Sequence, residues 1–104
     1  MSIKPLFIPL KTKYYEAFEQ GRKDEEYRLY GSRWNEKTCY IGRAVTLSKG
    51  YGKQNRLKGI VTGFQRLSGE HLKPQTQQSL QSLYPGKNDF AAIEIRLEEV
   101  NHAK

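Results

Sequence analysis

The clearest periodicity lies near the C-terminus, where Ala91, Ile93, Ile95 and Leu97 alternate with Glu94, Arg96 and Glu98. That period of two is the signature of a half-buried strand. Ile3 to Leu10 (IKPLFIPL) also predicts a buried strand, at a sheet edge or irregular, because Pro5 and Pro9 remove ladder donors. The period then changes. Leu10, Tyr14, Ala17 and Phe18 share one face at helical spacing, which predicts a short helix to about Gln20 with Thr12 as its cap. Gly21 follows where a left-handed residue ends a helix. Glu25 to Tyr30 alternates again, with Glu26, Arg28 and Tyr30 on one side and Glu25, Tyr27 and Leu29 on the other.

Gly31 to Thr38 reads as loop. Tyr40 to Ser48 and Arg56 to Phe64 are strand candidates flanking a glycine-bearing hairpin tip, Lys49 to Asn55. Ser68 to Gln75 is a polar connection. Thr76 to Leu83 predicts a second helix, with Leu80 and Leu83 inward and Pro85-Gly86 as its stop. Asn101 to Lys104 is expected to fray. About five short strands and two short helices give an α+β chain, expected to form one domain over residues 1–104 built as a small, partly open β-barrel with helical lids.

Composition narrows the picture. Apolar residues are 37% of the chain, so the core is small, and seven Tyr and four Phe must fill much of it. No apolar run approaches a membrane span, and Leu6 to Leu10 is too short for a signal-peptide core. Cys39 is the lone cysteine, expected buried and inert, and no Cys/His cluster offers zinc-ligand spacing. These features suggest a cytoplasmic protein without metal, cofactor or membrane partner.

Charge says more. No acidic residue lies between Glu36 and Glu70, a span that carries Lys37, Arg43, Lys49, Lys53, Arg56, Lys58 and Arg66. The whole excess of +7 therefore sits in one third of the chain, the expected footprint of a phosphate-binding face. Within it, Lys49, Tyr51, Lys53, Arg56 and Lys58 mix cations with an aromatic ring on and beside the hairpin tip, which suits backbone contact plus stacking of an unpaired base. The tip is not a P-loop, because Gln54 follows Lys53 and the glycine spacing is absent. Trp34, in the loop after the motif strand, suits either stacking on a base or plugging a barrel end, and the plug is the favoured expectation. His71 and His102 have no partners at metal or triad spacing, and His102 is expected in solvent.

The candidate site is Gly21 to Arg28, GRKDEEYR. Gly21 frees Lys23 to swing over a cleft, while Glu26 and Arg28 project to one side of a strand. A movable cation, an acceptor and a planar guanidinium on one face suit a nucleotide: Arg for phosphate or stacking, Glu for an exocyclic amine. Tyr30 continues that face. An equally open reading is a structural ion-pair network in which Glu26 neutralises Lys23 and Arg28.

In the order G-x-K-x-x-E-x-R these residues resemble the signature of ASCH domains, of the PUA-like superfamily. The similarity extends through Tyr27-Arg28-Leu29-Tyr30 to Tyr84-Pro85-Gly86, Phe90 and Ile93-Glu94. It implies a PUA-like β-barrel with a ligand cleft at the motif, and RNA, a nucleotide or a nucleoside as partner. Some small bacterial relatives resemble amidohydrolases that deacetylate modified cytidine with a Lys, a Thr and a Glu. Lys23 matches the lysine, Glu26 stands in the threonine's place, and Glu70 lies near the downstream glutamate. Others resemble ribonucleases. A protein-interaction module with a basic face is a third possibility.

Overall fold

The computed structural model describes residues 3–98; His102 and the expected fraying of Asn101 to Lys104 lie outside them. Leu6–Leu10 forms β1 and Thr12–Glu19 forms α1. Strands β2, β3 and β4 are Glu25–Leu29, Ala44–Lys49 and Arg56–Leu67. A 3-10 turn at Gly69–His71 leads to α2, Pro74–Leu83, and then to β5, Phe90–Leu97. The strands make one sheet in the order β1-β3-β4-β5-β2, with β1 parallel to β3 and every other pair antiparallel.

This sheet is a curled half-barrel and not a closed barrel: β1 and β2 are its two edges and share no ladder. The partly open barrel expected from the sequence is thus a half-barrel with one unladdered seam. The core fills the concave side, where Ile8, Val45, Leu47, Val61, Ile93 and Ile95 meet Tyr15 and Phe18 of α1, with Trp34 and Cys39 at the margin. Alternation delivers it, as in β1, where Leu6, Ile8 and Leu10 are buried and Phe7 and Pro9 are half-buried. The longest break in that alternation runs from Phe90 to Ile93, four consecutive buried residues. There the 3-10 turn and the α2 exit cover the outer face, with Tyr84 against Phe90 and Gly69 beside it.

Two glycines carry geometry. Gly59 lies on β4 against β5, and a Cβ there would sit 2.5 Å from the Arg96 carbonyl oxygen. Gly21 has φ +79°; its N–H bonds the Phe18 carbonyl at 3.0 Å and the Arg22 N–H bonds the Ala17 carbonyl at 2.8 Å, a Schellman ending for α1.

Several boundaries differ from the sequence expectation. Thr12 does not cap α1; Lys11 holds the cap position, with no side-chain bond. Strand β3 begins at Ala44 because Gly42 turns the backbone at φ +95° and Arg43 is anchored to the Lys4 and Thr38 carbonyls. Strand β4 runs past Phe64 to Leu67 through a bulge between Val61 and Gly63. Helix α2 starts two residues early, at Pro74, and Leu83 is 46% exposed, leaving Leu80 as its buried anchor. Trp34 and Cys39 are buried, as the sequence suggested.

The open seam is bridged by a side chain. Arg28 Nη2, on β2, donates to the Pro9 carbonyl of β1 at 2.7 Å, and its Nε and Nη2 hold Glu26 Oε2 at 3.0 and 2.9 Å. The guanidinium also lies 5.1 Å from the Trp34 ring centroid. Arg28→Met would leave Glu26 short of charge and the Pro9 carbonyl unpaired, so urea unfolding should show a loss of about 3 kcal/mol. A loss under about 0.5 kcal/mol, the ordinary surface value, would mean that the seam is held by something else.

Candidate functional site

The Schellman turn reverses the chain so that Lys23 returns over the C-terminal half of α1. Its ammonium lies 5.5 Å from the Tyr14 ring and 5.6 Å from the rings of Phe18 and Tyr27, and 3.5 Å from Glu26 Oε1. Three aromatic faces and a carboxylate thus hold one cation whose side chain keeps 20% exposure. Glu26 is more buried, at 11%, and divides its oxygens: Oε2 serves Arg28, Oε1 faces Lys23.

Over this cluster lies α2. Thr76, Ser79, Leu80 and Leu83 recur at helical spacing and form one wall of a cavity of about 110 Å³, whose other walls are Tyr14, Lys23, Glu26 and Tyr27. Two hydroxyls, a cation and a carboxylate converge between two phenol rings. The sequence reading used this stripe only for its leucines. The same 3.6 period places Thr76 and Ser79 beside them, so the signal was present.

Tyr27 is held neutral. Burial foremost, then the hydrogen bond from its hydroxyl to Glu25 at 2.8 Å, pushes its phenol up to about 12.

The remaining motif residues serve other contacts. Arg28 is committed to the seam and lies outside the cavity walls. Tyr30 is also outside them: its hydroxyl bonds Glu36, and its ring lies 3.9 Å beneath Arg66. Arg66 binds Asp89 through two nitrogens at 3.0 and 2.9 Å. The bond to Glu36 raises the Tyr30 phenol, and the bond from Arg66 lowers the Asp89 carboxyl. Glu70 sits in the 3-10 turn, where Ser68 Oγ donates to it at 2.9 Å and also contacts His71 Nδ1 at 3.0 Å; it too is outside the walls.

The acid-free segment divides. Arg66 is paired with Asp89, Arg43 is spent on backbone carbonyls, and Lys49 meets Glu16 at 3.7 Å. At the hairpin, Tyr51 is 80% exposed with its ring 6.3 Å from Phe7. Arg56 lies 5.2 Å over the same Phe7, and its Nε reaches the Gly52 carbonyl at 3.3 Å. Lys53 and Lys58 are exposed. Among the described residues, Lys53, Arg56 and Lys58 have no acidic partner within 4.0 Å. None of these lines the cavity.

No group of three or more metal-ligating side chains occurs among the described residues, and no described helix is long and apolar enough to cross a membrane. No family model and no curated protein matches the chain. Among solved structures, it is similar to hypothetical protein PH0355, at TM-score 0.67 and 21% identity over 88% of this chain and 97% of that one. It is also similar to ASCH from Zymomonas mobilis, at TM-score 0.60 and 12% identity over 86% of this chain and 65% of that one. A single-substitution variant of the latter gives TM-score 0.62. The fold is therefore like that of the Zymomonas mobilis ASCH structure.

The Tyr27 phenol generates a pH prediction. Above pH 10 the unfolded chain releases a proton that the native phenol keeps until about 12. Fewer protons on the unfolded state mean that stability falls as pH rises through that window. Urea midpoints measured from pH 9.5 to 11.5 should fall less steeply in Tyr27→Phe than in the parent. Identical slopes would show that Tyr27 is not held neutral.

Proposed function

We propose that the cavity between α1, β2 and α2 receives one nucleobase of an RNA strand or nucleotide, and that the protein is an RNA- or nucleotide-binding domain. The observation that carries this reading is the convergence of Lys23 and Glu26 on a single small cavity between Tyr14 and Tyr27. Size favours a pyrimidine. A cavity of about 150 Å³ encloses one benzene ring, so this smaller one of about 110 Å³ takes a six-membered ring only with part of it in the open mouth, and a purine bicycle fits it less well.

Hydrogen-bond polarity selects among pyrimidines. Lys23 offers donors only, and Glu26 Oε1 is an acceptor. Cytosine presents a carbonyl oxygen and an exocyclic amine, which match that pair. Uracil places a carbonyl oxygen where Glu26 needs a donor. Tyr14 and Tyr27 supply the flanking ring faces. Tyr51, Lys53, Arg56 and Lys58 extend the contact to phosphates and a neighbouring base, while Lys49 is held by Glu16. Arg28 and Tyr30 support the site from behind: Arg28 fixes Glu26, and Tyr30 caps the end of the same strand.

Calorimetry should therefore find cytidine monophosphate bound roughly tenfold or more tightly than uridine monophosphate, the effect of one buried acceptor left unpaired. Lys23→Met should abolish both while melting changes little, because the methionine stem stays among the rings. Equal affinity for the two nucleotides, or unaltered binding in the variant, would remove the assignment.

A hydrolytic reading is favoured by one specific feature. Thr76 lines the same cavity as Lys23 and Glu26, and in this reading α2 would supply the threonine absent from the motif strand. With Glu70 outside the cavity, Glu26 would be the carboxylate of this set. This reading expects acetate release from N4-acetylcytidine, lost in Thr76→Ala. No release above the buffer rate, and no cleavage of labelled RNA, leaves the binding function alone.

A further inference from the structure

The sequence places the basic excess in residues 37–69, yet the mouth of the cavity is bordered by cations from elsewhere. Two shallow grooves run out from it. One shares Tyr14, Lys23 and Ser79 with the cavity and adds Lys13 and Arg22. The other shares Tyr14, Ser79 and Leu83 and adds Lys11 and Lys13.

These three cations are positioned by the fold. Lys13 lies 4.9 Å over the Tyr14 ring. Arg22 is set by the Schellman turn, and its Nε bonds Gln20 Oε1 at 2.9 Å. Lys11 occupies the cap position of α1. Among the described residues none of the three has a carboxylate within 4.0 Å. Glu16 is the one carboxylate on the first groove, and Lys49 engages it at 3.7 Å.

The rim also connects to the hairpin. The Gly50 N–H donates to the Leu10 carbonyl at 2.8 Å, placing the tip against the residue before Lys11. Arg22, Lys13 and Lys11 thus border the grooves, and the backbone of the tip that bears Tyr51 and Lys53 adjoins the residue before Lys11.

We propose that Lys11, Lys13 and Arg22 form a phosphate subsite at the cavity mouth, so that the ligand is the phosphorylated nucleotide of a single-stranded RNA and not a free nucleoside. This rests on the base-pocket reading and names its ligand class. An ammonium is a point charge for phosphate, and a guanidinium offers paired donors. The base enters between Tyr14 and Tyr27, its phosphate stays at the rim, and the neighbouring nucleotide is led toward the tip.

The test measures cytidine, cytidine monophosphate and a cytidine trinucleotide against the full chain and Lys13→Ala/Arg22→Ala. Circular dichroism checks the fold. In the parent, the monophosphate should bind about tenfold or more tightly than the nucleoside at low salt, consistent with charge-assisted bonds to phosphate. The trinucleotide should bind more tightly still and weaken steeply with salt. The double variant should lose the phosphate gain and keep the nucleoside affinity. Equal affinity for nucleoside and monophosphate in the parent, or a gain that survives in the variant, overturns the subsite while leaving the base pocket standing. Absence of binding by nucleoside and monophosphate alike overturns both. Tight binding of an acidic peptide to the same rim, with no nucleotide gain, assigns it to a protein partner instead.

Discussion

Arg28 carries the structure across its weakest place. A five-stranded sheet that curls without closing leaves two edges, and an unpaired edge exposes backbone groups that need partners. Here β1 and β2 face each other without a ladder, and one guanidinium reaches from the second to the Pro9 carbonyl of the first. Pro9 contributes no N–H, which suits an edge strand, but its carbonyl still requires a donor. A side chain thus does for the seam what a ladder does elsewhere in the sheet.

The bridge also builds the site. Arg28 holds Oε2 of Glu26, Glu26 presents Oε1 to Lys23, and Lys23 rests among three aromatic rings. One chain of charges runs from scaffold to cavity, so the structural and ligand-binding readings of the motif describe different ends of the same network. At the end nearest the core, Arg28 Nε and Nη2 are engaged by Glu26 and Pro9. At the other end, a cation with three donors and a carboxylate with a free lone-pair direction face a small cavity. Helix α2 completes that cavity yet buries only Leu80, so the wall bearing Thr76 and Ser79 is held by few apolar contacts and can yield to an entering ring.

How much the sequence revealed depended on whether a feature was local. Period-two runs located β2 and β5 and the helical period located α1, because alternation is written directly into neighbouring residues. The Gly21 turn was legible for the same reason. Boundaries set by distant partners were not: β3 starts late because Arg43 is tied to Lys4 and Thr38, and Leu83 stays 46% exposed because it lines the open cavity and not the core. Barrel closure could not be read from strand count, since it depends on whether β1 and β2 pair. In the motif, alternation correctly put Glu26 and Arg28 on one side but could not say that Arg28 would turn to Pro9. The linear charge count pointed at residues 37–69 and passed over Lys11, Lys13 and Arg22, because Glu16, Glu19, Asp24, Glu25 and Glu26 offset the cations of that stretch in sequence although none comes within 4.0 Å of these three.

The central claim is that the end of this charge network facing α2 is a base-binding cavity. Two-dimensional amide NMR during titration with cytidine monophosphate tests it most directly, because each backbone N–H reports its own surroundings. The account predicts saturable shifts at Lys23, Glu26 and Tyr27, accompanied by Thr76, Ser79 and Leu80 across the cavity. Shifts confined to the hairpin around Tyr51, or an unchanged spectrum at millimolar nucleotide, would contradict it.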